Sequence, residues 1–117
     1  MTTEREAQLE ALLRTLIERV KPEKVVLFGS YADDTATPQS DIDLLVILES
    51  DLRRDRRQEM ISRALRPRRV PVDILAYTPA EVETCMANPA SFVRHILTTG
   101  KIIYERHTER MVGESMG

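Results

Sequence analysis

Residues 27–46 read Leu27-Phe28-Gly29-Ser30-Tyr31-Ala32-Asp33-Asp34-Thr35-Ala36-Thr37-Pro38-Gln39-Ser40-Asp41-Ile42-Asp43-Leu44-Leu45-Val46. Together with Lys24-Val25-Val26, the opening forms a short apolar, β-branched run closed by Gly29, which reads as a strand entering a tight turn. A polar stretch rich in Asp, Thr and Pro follows, and a second strand is expected over 41–48. Side chains alternate across a strand, so Asp41, Asp43, Leu45 and Ile47 share one face and Ile42, Leu44, Val46 and Leu48 the other. Both carboxylates therefore point the same way. Asp43 sits between Ile42 and Leu44 at the mouth of a strongly apolar strand, where an unpaired charge is costly unless something positive faces it.

Working outward, Leu9, Leu12, Leu13, Leu16, Ile17 and Val20 recur at spacings of three and four, which predicts an amphipathic helix over 3–20, ended at Lys21-Pro22. Beyond the second strand, Leu52, Met60, Ile61, Ala64 and Leu65 make a thin helical stripe over 51–65. Residues 70–77 return to strand character and contain Asp73; Pro71 argues for a sheet edge or a strand start. Thr78-Pro79-Ala80-Glu81 combines an N-cap threonine, a proline at the first helical position and a glutamate three residues after the cap. A further helix carries Phe92, Val93, Ile96 and Leu97, and Gly100 ends it before a last strand over 101–104. This order implies an α/β or α+β domain built on one central sheet.

The 117 residues suffice for one domain and are too few for two. A net charge of −2 gives no overall bias toward nucleic acid or an anionic membrane, so direct nucleic-acid binding is not expected and any basic function must be local. The single cysteine, Cys85, excludes an internal disulfide, no apolar run reaches the roughly 20 residues of a membrane span, and the charged N-terminus does not resemble a signal peptide. A cytoplasmic protein without a membrane partner is the expectation.

The two strands and the loop between them carry the chemistry. Gly29 lets backbone amides approach an anion, Ser30 adds a hydroxyl donor, and a short helix opening at Tyr31 would add positive dipole, all of which suits phosphates. Asp41 and Asp43 offer hard oxygen ligands on one face, as magnesium bridging a triphosphate requires. Bound phosphates and metal-held carboxylates are what phosphoryl or nucleotidyl transfer needs. Asp73, in a neighbouring strand, is the natural third carboxylate, either as a metal ligand or as acceptor of the nucleophile's proton.

Gly29-Ser30, ten residues, then Asp41-Ile42-Asp43 resembles the hallmark of the minimal nucleotidyltransferases of the DNA polymerase beta superfamily. The resemblance implies a single-domain nucleotidyltransferase fold over 3–105, with a central mixed sheet flanked by helices; the residues at 106–117 read as a flexible tail. It implies that Gly29 and Ser30 hold the triphosphate of ATP, that Asp41 and Asp43 hold magnesium, as two ions, and that Asp73 is the third acidic residue. One departure is Asp34, where many relatives have glycine; aspartate tolerates left-handed backbone better than most residues. The resemblance is strongest to stand-alone antitoxins that pair with a HEPN-domain ribonuclease toxin and transfer AMP to its tyrosine. Two alternatives stay open: an antitoxin that neutralises by binding alone, and an enzyme acting on RNA ends.

The remaining features read as structural. The arginines over 53–69 alternate with Asp55 and Glu59, as on a solvated helix, the alternative being a partner-docking surface. His95, among Phe92, Val93 and Ile96, is expected to be a partly buried structural histidine, and Cys85 a small packing residue.

Overall fold

The computed structural model describes residues 3–29, 32, 41–66 and 71–106. The expected tail falls outside them beyond Arg106, whose N–H donates to the Glu23 carbonyl at 2.8 Å. The elements are α1 (Thr3–Arg19), β1 (Lys24–Phe28), β2 (Ile42–Ile47), α2 (Arg54–Ala64), β3 (Val72–Tyr77), α3 (Pro79–Met86), α4 (Phe92–Thr99) and β4 (Lys101–Glu105). These match the expected order, and α1 ends just before Lys21, which takes a left-handed φ of 57° ahead of Pro22.

The four strands form one mixed sheet in the order β3-β2-β1-β4. The β1 strand pairs antiparallel with both β2 and β4, whereas β2 and β3 are parallel and joined by α2 as the crossover that parallel strands require. The β3 strand is at an edge and Pro71 immediately precedes it; its carbonyl accepts from the Ile42 N–H at 3.0 Å. Proline is tolerated there because it need not donate to a ladder.

Both sheet faces are covered, and the alternation along β2 assigns its residues to them. Ile42, Leu44, Val46 and Leu48 pack with Leu12 and Leu16 of α1 and Ile61 of α2. Leu45 and Ile47 pack with Val93 and Ile96 of α4 on the opposite face. Asp43 and Asp73, two residues before Leu45 and Leu75, belong to the α4 side. Burial of these aliphatic side chains, at about 25 cal/mol per Å² of apolar surface, is the main stabilising term of the fold.

One side chain departs from the solvated helix read in the sequence. Arg57 of α2 is only 4% exposed. Its guanidinium donates to both carboxylate oxygens of Glu81 (2.8 and 2.9 Å) and to the carbonyls of Leu52 and Ala76 (both 2.9 Å). Glu81 also closes the capping box of α3, accepting from the Thr78 N–H at 3.0 Å while the Thr78 hydroxyl accepts from the Glu81 N–H at 3.2 Å. Five charge-assisted bonds thus join α2, β3 and the start of α3, which makes burial of a guanidinium tolerable. Arg53 and Arg63 keep the expected exposed pairing, with Asp55 and Glu59.

Candidate functional site

Strand register brings part of the expected site together. Phe28 of β1 is opposite Asp43 of β2, and Asp43 is opposite Asp73 of β3. Neighbouring strands are about 4.8 Å apart, so these three side chains form one row across the α4 side of the sheet, with an aromatic end and an acidic end. Asp41 lies just before β2, exposed, and Asp73 is exposed at the edge, while Asp43 between them is half-buried.

Gly29 sets the depth of this row. Its φ is +79°, a conformation that strongly favours glycine, and a Cβ placed there would come within 3.2 Å of Asp43 Cγ and overlap Asp43 Oδ2. The turn backbone therefore lies directly on the Asp43 carboxyl. The Ala32 N–H donates to the Gly29 carbonyl at 3.0 Å, while Ser30 and Asp34 fall outside the described residues.

The electrostatics follow from this crowding. Asp43 is held above the ordinary carboxylate range, first by burial, then by the charges of Asp73 and Asp41, and finally by a hydrogen bond from its protonated form to Asp73. Among the described residues, none of the ion pairs supplies Asp43 with a positive partner. Among the described residues, no three His, Cys, Asp or Glu side chains gather into a ready-made metal cage. Magnesium does not need one: it is usually bound by one or two carboxylates, with phosphate oxygens and water completing its shell. The Asp43–Asp73 pair, with Asp41 adding charge, suits such a cation chemically.

Beside the row opens a cleft of about 470 Å³, lined in part by Gly29 and Asp43 from the sheet and by Phe92, His95 and Thr99 from α4. The sequence reading gives none of these α4 residues a functional role. His95 is exposed and faces this cleft, correcting the expected partly buried histidine; Val93 and Ile96 fill the buried face of the helix instead. The available signal was spacing, since positions 92, 95 and 99 share one helical face.

The sequence profile of the nucleotidyltransferase domain family matches residues 9–104, a span that holds Gly29 and all three aspartates. The chain belongs to this family. No curated protein matches it. Among solved structures, the nucleotidyltransferase domain is similar to a candidate nucleotidyltransferase from Sulfolobus solfataricus, with 23% identity, coverage of 86% of each chain and a TM-score of 0.58. That likeness is one of fold. A toxin–antitoxin structure with AMP-PNP is 23% identical over 95% of this chain and 82% of that one, at a TM-score of 0.46, too low to bear on fold or function. No described helix of the nucleotidyltransferase domain is long and apolar enough to cross a membrane.

Proposed function

We propose that this nucleotidyltransferase domain transfers AMP from magnesium ATP to a protein hydroxyl, a tyrosine of a HEPN ribonuclease toxin, and thereby acts as its antitoxin. The observation that carries the chemical part is the register pair Asp43–Asp73 beneath the Gly29 turn, because it places adjacent carboxylates beside backbone suited to phosphate. The choice of acceptor rests on the sequence resemblance alone.

In this reading Gly29 and Ser30 hold the triphosphate, and Asp41, Asp43 and Asp73 are the residues that would hold magnesium. The bound cation supplies charge neutralisation on the phosphate oxygens. Asp43, crowded by two like charges, gains the most from a positive partner. The acceptor oxygen bonds to the α-phosphorus, the bond from that phosphorus to the bridging oxygen breaks, and pyrophosphate departs. Asp73, the exposed carboxylate at the sheet edge, takes the acceptor's proton.

The test is label transfer from ATP marked at the α-phosphate to the purified product of the adjacent gene, with magnesium. Label on a tyrosine of the partner, lost in Asp41→Asn/Asp43→Asn, is the expected result. A stable, neutralised complex that never acquires label would support binding alone, and label on RNA would redirect the acceptor.

A further inference from the structure

We infer that Phe92 and His95 form the platform on which the base of the bound nucleotide stacks; this rests on the proposed function, because it needs the phosphates at Gly29 and Asp43. Phe92 is 58% exposed, although it belongs to a helix whose Val93 and Ile96 are buried. A lone exposed aromatic would signify little. Here three further observations converge on it. The Phe28 and Phe92 rings are nearly perpendicular, at 85°, with centroids 5.8 Å apart, so Phe92 is braced against the sheet. The His95 ring lies 6.4 Å from Phe92 and within 19° of parallel, so the two rings present similarly inclined faces. Both line the same cleft as Gly29 and Asp43.

The order of groups matches the order of parts in a nucleotide. Phe28 is the register neighbour of Asp43, so the aromatic group stands one strand away from the carboxylate row. A nucleotide with its phosphates over Gly29 and Asp43 directs its base along the cleft toward α4. The volume of about 470 Å³ falls within the range of small-molecule pockets. Stacking of a base on an aromatic side chain is tolerant of base identity and contributes substantially to affinity. The Thr99 hydroxyl donates back to the His95 carbonyl at 2.9 Å, so its proton is committed within α4.

The experiment measures binding of magnesium α,β-methylene-ATP and of magnesium tripolyphosphate by calorimetry, using the full chain and its Phe92→Ala, Phe92→Tyr and Asp43→Asn variants. Phe92→Ala is expected to weaken the nucleotide roughly five- to hundredfold and leave tripolyphosphate unchanged, with Phe92→Tyr close to the parent. An unchanged melting temperature shows that the loss is local, as the exposure of Phe92 leads one to expect. Equal nucleotide affinity in parent and Phe92→Ala overturns the platform, as does equal weakening of both probes. If tripolyphosphate binds in an Asp43-dependent manner and the nucleotide binds no tighter, the platform fails while the proposed site stands. If neither probe binds the parent chain, both fail.

Discussion

Asp43 and Asp73 face each other in parallel register on β2 and β3, close enough for the protonated Asp43 carboxyl to donate a hydrogen bond to Asp73. The folded protein therefore holds the Asp43 proton to higher pH than the unfolded chain, which ionises it near its ordinary value of 3.8. Above that pH the folded state binds more protons than the unfolded one, so stability falls as pH rises toward the folded value. Asp43→Asn is expected to raise the melting temperature at pH 7 in the presence of EDTA. The gain should vanish below pH 3.8, where Asp43 is protonated in both states. Thermal melts of both proteins from pH 3 to 8 check this, and a variant less stable than the parent at pH 7 would show that the carboxylates are not in conflict.

How much of this was legible in the sequence depends on the range over which each feature is determined. The sheet face of Asp43 follows from alternation along β2, which begins only after Asp41, and the capping box at Thr78 from four adjacent residues, so both could be read locally. The pairing of Asp43 with Asp73 depends on a parallel register fixed through the α2 crossover, and no local pattern reports it. Arg57 was hidden for a similar reason: among neighbouring arginines only its partner, 24 residues away, distinguishes it. The exposure of His95 is hidden in the sequence because its apolar neighbours Val93 and Ile96 occupy the core without it.

The buried Arg57–Glu81 pair gives a second pH dependence, of opposite sign. Glu81 is held down to about 2, from 4.5, by its bonds to Arg57 and to the Thr78 N–H. Its stabilisation is complete above pH 4.5 and is lost as pH falls toward 2. Glu81→Gln keeps an acceptor for the cap and loses the charge, so its stability deficit should be constant at neutral pH and shrink below 4.5. Urea titrations at pH 7 and pH 3 measure both.

Arg57→Ala should be more damaging, because it strands the Glu81 carboxylate and two carbonyls. Breaking a buried pair costs roughly 3–5 kcal/mol, but Glu81 is 33% exposed and water can recover part of its solvation. A loss of about 2–4 kcal/mol in chemical denaturation is expected. A loss below about 1 kcal/mol would place this pair with ordinary surface bridges.

The two glycines nearest the site should respond differently to alanine. At Gly29 the added Cβ meets the end of the short Asp43 side chain, which can turn aside, and positive φ costs roughly 1–2 kcal/mol. At Gly100 the Cβ meets backbone oxygens of Ile96 and Leu27 at 2.7 and 2.8 Å, which cannot move without shifting α4 or β1. Gly29→Ala should therefore lose affinity for magnesium ATP at modest cost in stability, while Gly100→Ala should lose stability by about 1–3 kcal/mol. Parallel melts and calorimetric titrations separate the two effects.

The central claim is nucleotidyl transfer through the Asp43–Asp73 pair under the Gly29 turn. Its most direct test supplies ATP labelled on either the α- or the γ-phosphate, with magnesium and the adjacent gene's product, to the parent chain and to Asp43→Asn. The expected result is α-label on the acceptor, γ-label released as pyrophosphate, and neither with the variant. Transfer of γ-label, or α-label that survives Asp43→Asn unchanged, would contradict it.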